Sequence, residues 1–216
     1  KALLSVDGTI LQGWLGGGCT RGAVKRATLQ ALRDGKPQLV SVAPEDLLAE
    51  KGVTAGDTIE GTQFARNGCP SRGTVDIFIE PCLPAPQLVV LGASPVAQAL
   101  SAFAPQFHWS VALTLAQKKP HQQQFVVVAT QGQGDLDALK SALSEKKDHV
   151  AFVGSRRKYA ALAEKLVAAG IDRSLIESVQ APAGLNLGAV TPEEIALSIL
   201  AQFVQIRRMA VKPSHA

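Results

Sequence analysis

Two apolar runs open the chain, Ala2-Leu3-Leu4-Ser5-Val6 and residues 9 to 15, with Asp7-Gly8 between them. An Asp-Gly pair flanked by apolar runs is a hairpin signal, because the glycine accepts a positive φ, so residues 2 to 6 and 9 to 15 are predicted to pair. Gly16, Gly17 and Gly18 then break the strand. From Thr20 the period changes to that of a helix. Ala23, Val24, Ala27 and Ala31 share one stripe, Arg21, Lys25 and Arg33 lie off it, and the pattern stops at Gly35 and Pro37. Residues 38 to 43 read as a strand. Residues 45 to 73 keep neither period, and one short helix followed by a loop rich in Gly, Asn, Pro and Ser is expected there. Residues 74 to 80, Thr-Val-Asp-Ile-Phe-Ile-Glu, alternate with period two and predict a half-buried strand.

Leu83-Pro84-Ala85-Pro86 is the clearest boundary, since two closely spaced prolines forbid a helix and stiffen a connection. Beyond it the texture is different. Short apolar runs at 88 to 91, 111 to 117, 125 to 129 and 150 to 153 alternate with helical stretches near 95 to 104, 134 to 145 and 156 to 169, the order of a parallel, doubly wound sheet. A last helix opens with Thr191, Pro192 and Glu194, a capping box with proline at the first helical position. The expected fold is therefore α/β: a mixed, cysteine-bearing domain over residues 1–83, then a Rossmann-like doubly wound domain over residues 84–216. The chain enters on a strand at Lys1, which reads as a continuation of upstream sequence.

Composition narrows the class. The chain has 216 residues, 46% hydrophobic and 19% charged, enough apolar content for a real core, which argues against disorder. A net charge of +4 without clustered aromatics suits an anionic ligand better than nucleic acid, although a merely soluble surface explains it equally well. The three cysteines, Cys19, Cys69 and Cys82, show no CxxC spacing and support neither a disulfide framework nor a zinc site. A reducing cytoplasm is expected, and no apolar run reaches the roughly 18 residues of a membrane span.

The segment Gly16-Gly17-Gly18-Cys19-Thr20-Arg21-Gly22 sets a thiol between a strand end and a helix start. Unpaired amides and the helix dipole there favour an anion and a reactive thiolate, and Arg21, Lys25 and Arg26 add charge; a tight turn around a small buried cysteine is the plain alternative. Cys69 sits in a second turn, and it shares a pocket with Cys19 if the strand after it lies beside the first hairpin. Cys82 reads as structural.

In the second domain Gly92 and Ser94 occupy the strand-to-helix turn where a dinucleotide fingerprint belongs, with only the first of its three glycines present and Pro95 following. No acidic residue stands about 20 positions later, which counts against ordinary NAD use. Gly154, Ser155, Arg156, Arg157 and Lys158 form another such turn with three cations in succession. They oppose the helix dipole and are easier to understand if an anion or an acidic partner lies there, or else they are solvated. The loop at 184 to 188 is expected to be flexible enough to cover that cleft. The four histidines show no ligand spacing.

Gly17-Gly18-Cys19, the run from Cys69 to Pro81 (Cys-Pro-Ser-Arg-Gly-Thr-Val-Asp-Ile-Phe-Ile-Glu-Pro), Gly154-Ser155-Arg156-Arg157-Lys158, and residues 181 to 189 followed by Thr191-Pro192-Glu193-Glu194-Ile195-Ala196 together resemble the XdhC/CoxI accessory-protein family across nearly the whole chain. Thr20-Arg21 departs from the Val-Glu frequent after the family cysteine. The resemblance implies a cytoplasmic chaperone that binds molybdenum cofactor, supports its sulfuration and inserts it into an apo-molybdenum hydroxylase of the xanthine dehydrogenase type, with a cysteine desulfurase as a further partner and a homodimer left open. With that cargo, cofactor contacts are expected at Gly17, Gly18, Cys19, Arg21, Cys69, Gly92, Ser94, Gly154, Ser155, Arg156 and Arg157, with Cys19 as a transient molybdenum or sulfur contact. Two other readings stay open: an NAD(P)-dependent oxidoreductase using the second domain, and an interaction module in which that domain is a docking scaffold.

Overall fold

The computed structural model describes residues 1–70, 72–115, 117–145 and 147–209. Its chain divides into two units, Lys1–Leu83 and Pro84–Ala216.

In the first unit, β1 (Ala2–Leu4) and β2 (Ile10–Gly13) form an antiparallel hairpin, shorter than the residues predicted to pair. The Ser5 hydroxyl, the Thr9 amide and the Thr9 hydroxyl donate to Asp7 in its turn and hold that carboxyl down to about 2. Helix α1 (Gly18–Asp34) follows and ends at Gly35, whose left-handed backbone (φ 66°) lets its N–H reach the Ala31 carbonyl. Ala23, Val24, Ala27 and Ala31 of α1 pack on Val40, Val42, Ala65 and Ile79, the small alanines giving close approach to the sheet. That sheet has the order β4 (Thr58–Ile59), β5 (Thr62–Arg66), β3 (Gln38–Ala43), β6 (Val75–Ile79). Strand β3 lies parallel to β5 and antiparallel to β6.

Residues 45 to 73 differ from expectation. The short helix is present as α2 (Glu45–Glu50), but the presumed loop contains β4 (Thr58–Ile59) and β5, joined by a two-residue turn. Glu60 (φ 49°) and Gly61 (φ 79°) both take the positive φ that such a hairpin turn requires. The run Thr62-Gln63-Phe64-Ala65-Arg66 is too polar to stand out as a strand, and its backbone is held by β3 rather than by a strong apolar alternation of its own.

The second unit carries a parallel sheet in the order β10-β9-β7-β8, built from β7 (Gln87–Leu91), β8 (Ser110–Ala112), β9 (Gln124–Val128) and β10 (His149–Phe152). Helix α3 (Pro95–Phe103), with a 3-10 turn at Ala104–Phe107, and α7 (Pro192–Met209) cover one face against Leu88, Val90, Phe125 and Val127. Helices α4 (Asp135–Leu143), α5 (Arg156–Ala168) and α6 (Arg173–Glu177) cover the other against Val89, Val126, Val128 and Phe152. The sheet is thus doubly wound, and its near-continuous apolar strands follow from burial on both faces. β8 stops at Ala112, short of the run predicted through residue 117, of which Ala116 lies outside the described residues. The Thr191 and Glu194 capping box forms as the sequence requires: the Val190 and Thr191 amides donate to Glu194 Oε2 at 2.8 and 3.0 Å, and the Glu194 amide to Thr191 Oγ1 at 3.3 Å.

His149 opens β10 with its ring 5.9 Å from that of Phe125 and 5.4 Å from that of Phe203, and its buried Nε2 has no hydrogen-bond partner among the described residues. Burial lowers its pKa below the ordinary imidazole value. The neutral ring is favoured in the folded state, so its stability contribution is complete above about pH 6.5 and is lost as pH falls below it. Urea midpoints of the second unit should fall between about pH 6.5 and 5, before carboxylates begin to titrate, and His149→Leu should flatten that slope. An unchanged slope in the variant would assign the effect elsewhere.

Candidate functional site

The parallel pair β3 and β5 ends at Ala43 and Arg66, and the N-terminus of α1 meets the segment that leaves β5. Between them lies a cleft of about 750 Å³. One wall is Gly16, Gly17, Gly18, Cys19 and Thr20, the other Asn67, Gly68, Cys69, Gly73 and Thr74, with Trp14, Leu15, Val75 and Ile77 completing the apolar lining. Trp14 is 77% exposed.

The glycine wall is bare backbone. Gly17 is the N-cap of α1, no side chain caps the helix, and its first turn has no acidic residue. The amides of that turn have no intrahelical acceptor and carry the positive end of the helix dipole. A Cβ added at Gly17 or Gly18 would meet nothing within 4 Å, so neither glycine is demanded by packing, and both leave the amides accessible.

Cys19 and Cys69 are both exposed, and no disulfide joins them. A Cβ built on Gly68 would lie 3.5 Å from Cys19 Sγ, so the thiol faces the open side of the residue preceding Cys69. The far wall is held by Asn67. Its amide donates to the Ala43 carbonyl at 2.7 Å, its Oδ1 accepts from the Cys69 amide at 3.0 Å, and its Nδ2 donates to the Gly73 carbonyl. Arg72 pairs with Asp46 of α2 and ties the loop down at its outer side.

The neighbouring cations are arranged differently from expectation. Arg21 Nε donates to the Gly16 carbonyl at 3.1 Å and braces the glycine turn instead of lining the cleft. Lys25 lies across Gly8 of the hairpin, and Arg26 lines a separate groove between α1 and β5. An anion in the cleft would meet amides and a dipole. Cys82, read as structural, is exposed and lines a different cavity with residues of β1 and β6. Among the described residues, no group of three or more His, Cys, Asp or Glu side chains forms a metal-binding cluster.

In the second unit the residues assigned to a cofactor have local work. Gly92 (φ 121°) lets the end of β7 approach the segment after β9, where a Cβ would sit 2.4 Å from the Ala129 carbonyl oxygen. The Ser94 hydroxyl caps α3 by accepting from the Ala97 amide at 3.2 Å. A Cβ at Gly154 would sit 2.4 Å from the Phe152 ring, and the Ser155 hydroxyl caps α5 through the Lys158 amide at 3.2 Å. Arg156 and Arg157 are exposed at the start of α5. Lys158, the third cation of that run, is paired with the buried Asp135 at 2.6 Å. Burial would raise the Asp135 pKa; hydrogen bonds from Lys158, Thr130 and the Gly132 amide outweigh it and hold the carboxyl below its ordinary value. Sequence reasoning missed this cluster, whose signal was an acidic residue after the glycine-rich turn that follows β9.

The loop expected to be flexible is anchored. The Gly184 amide donates to Gln202 Oε1 at 3.0 Å, the Leu185 amide to the Ser198 carbonyl at 3.2 Å, and a Cβ at Gly184 would collide with Ser198 Oγ at 2.3 Å.

A small α/β unit with an open, thiol-bearing cleft, followed in the same chain by a doubly wound parallel sheet, defines a class of two-domain proteins. The chain belongs to the XdhC and CoxI family: the XdhC Rossmann domain matches residues 88–203, and the XdhC and CoxI family matches residues 1–43. It is 28% identical over 247 residues to the uncharacterized protein YqeB of Escherichia coli (strain K12), covering 100% of this chain and 42% of that protein. The chain therefore spans less than half the length of that curated relative. It is also similar to a crystal structure of a xanthine dehydrogenase from Bacillus halodurans, with a TM-score of 0.50 and 19% identity over 92% of this chain and 68% of that one. At that identity the likeness is one of fold. No helix among the described residues is long and apolar enough to cross a membrane.

Proposed function

We propose that the chain is an accessory protein of molybdoenzyme maturation: it holds molybdenum cofactor in the cleft of its first unit, supports the cofactor's sulfuration and passes it to an apo-enzyme of the xanthine dehydrogenase type. The observation that carries this reading is the juxtaposition of bare helix amides and two exposed thiols in one cleft. The volume falls within the roughly 300–1,000 Å³ of small-molecule sites.

The donor set fits such a cargo. A phosphate suits the uncapped first turn of α1. A flat pterin suits the apolar lining with the exposed indole of Trp14. Soft sulfur ligands suit molybdenum, and Cys19 with Cys69 provides them; among the described residues no full ligand set of a permanent metal site accompanies the pair. The cargo supplies redox chemistry to its eventual enzyme; this chain's residues bind, orient and release it. A cysteine desulfurase as sulfur donor belongs to the same reading.

Protein purified from cells that make the cofactor should yield the fluorescent oxidised pterin on denaturation, and Cys19→Ala should retain less than about a tenth of it, a loss of more than 1.4 kcal/mol. Wild-type protein without pterin, or a variant that keeps it all, refutes the reading. The NAD(P) alternative draws no support from the β7–α3 turn, where the Ser94 hydroxyl is occupied as a cap.

A further inference from the structure

We propose that Cys19 and Cys69 form a two-thiol site for persulfide sulfur, in which Cys19 accepts the sulfur and Cys69 resolves it, releasing it as sulfide within the cleft. The inference rests on reading that cleft as the place where the cofactor is held and sulfurated, and it adds the source of the electrons.

The need is chemical. A persulfide carries its outer sulfur in the sulfane state, whereas a sulfur ligand that replaces oxygen on a metal without changing the metal's oxidation state enters as sulfide. Two electrons separate the two forms. One cysteine alone carries a persulfide but does not reduce it; a second thiol beside it does.

The structure puts the pair together. Both thiols are exposed and line the same cleft, and Cys19 Sγ would touch a Cβ on residue 68 at 3.5 Å, one residue from Cys69. Adjacent Cα atoms are about 3.8 Å apart, so the second sulfur hangs from the residue next to the one whose open side the first sulfur faces. Cys19 also lies in the first turn of α1, beside amides that have no intrahelical acceptor. Cys82 lines another cavity and serves as an internal control.

The steps balance. A persulfide donor, RSSH, gives its outer sulfur to the Cys19 thiolate and leaves as RSH, so Cys19 becomes a persulfide. The Cys69 thiolate then attacks Cys19 Sγ, the bond from Sγ to the outer sulfur breaks, and that sulfur departs as HS⁻. The two thiols become a disulfide and have supplied the two electrons that the sulfane sulfur gained. A dithiol reductant of the thioredoxin class returns the pair to thiols.

The full chain, reduced and free of pterin, should be treated without oxygen with glutathione persulfide and followed by sulfide release and intact mass. Wild type should release about one sulfide per chain and lose about 2 Da as the Cys19–Cys69 disulfide forms. Cys69→Ser should instead keep a persulfide of about +32 Da on Cys19 and release sulfide at least about tenfold more slowly, Cys19→Ser should do neither, and Cys82→Ser should match wild type. A stable persulfide on wild type, or equal sulfide release from Cys69→Ser, overturns the proposal. Since the assay contains no pterin, its failure is separate from a failure of the purified protein to carry pterin.

Discussion

Gly92→Ala is expected to destabilise the second unit selectively. The residue adopts φ 121°, and a Cβ there would lie 2.4 Å from the Ala129 oxygen, 2.6 Å from the Ala129 carbonyl carbon and 2.8 Å from the Thr130 Cα. All three are backbone atoms of the segment leaving β9, so no side chain can swing aside. The substitution combines an unfavourable backbone region, about 1–3 kcal/mol, with overpacking of about 1–3 kcal/mol. Together these are a large fraction of a typical domain stability of about 5–15 kcal/mol. Hydrogen exchange followed by mass spectrometry should show faster exchange in peptides of β7 and β9, with peptides of α1 and β3 unchanged. Exchange at wild-type rates throughout would mean that the strand ends separate at little cost, and the packing account of this glycine would be wrong.

Gly18→Asp is expected to abolish cofactor retention while leaving the first unit folded. A Cβ at this position meets nothing within 4 Å, and residue 18 begins α1, so the new side chain enters the cleft without a clash. A carboxylate in the first helical turn is favoured by the dipole by about 0.3–1 kcal/mol, so thermal stability should be unchanged or slightly higher. The same carboxylate occupies and neutralises the amides proposed to receive the cargo's phosphate. A like-charge clash of a few kcal/mol corresponds to a loss of roughly a hundredfold in affinity. Pterin released from the purified variant, measured beside its melting temperature, separates the two effects. Undiminished pterin in a stable Gly18→Asp protein would show that the anion is held elsewhere.

These two glycines show where sequence reading and structure part company. Gly92 follows a strand and opens a helix, and a fragment of a nucleotide fingerprint accounts for it as readily as packing does. Only the distance to Ala129, 37 residues further along the chain, reveals the close approach that requires a residue without a side chain. Gly17 and Gly18 looked like a strand breaker, yet open space around them shows that the strand's end does not depend on their lacking a Cβ.

Charge behaved in the same way. Arg21, Lys25 and Arg26 are close in sequence to Cys19, but helical geometry sends them in different directions, to the Gly16 carbonyl, the hairpin and a separate groove. Lys158 stood in a row of three cations until the fold brought Asp135 to it. Neighbours along a chain share a site only when the element that carries them turns them the same way.

What the amino-acid order determined by itself is everything set by local periodicity and local hydrogen bonding: the hairpin at Asp7-Gly8, the alanine stripe of α1, the doubly buried strands of the second sheet and the Thr191 to Glu194 cap of α7. Each rests on residues within a few positions of one another. Tertiary structure decided the rest. It made a strand of the polar run Thr62–Arg66 by pairing it with β3, and it brought Cys69 across to Cys19 from 50 positions away. It also drew the loop at Gly184 against α7 through Gln202. Those outcomes depend on contacts between segments far apart in the chain, where the gain comes from shared backbone hydrogen bonds and packing that no short window of residues contains.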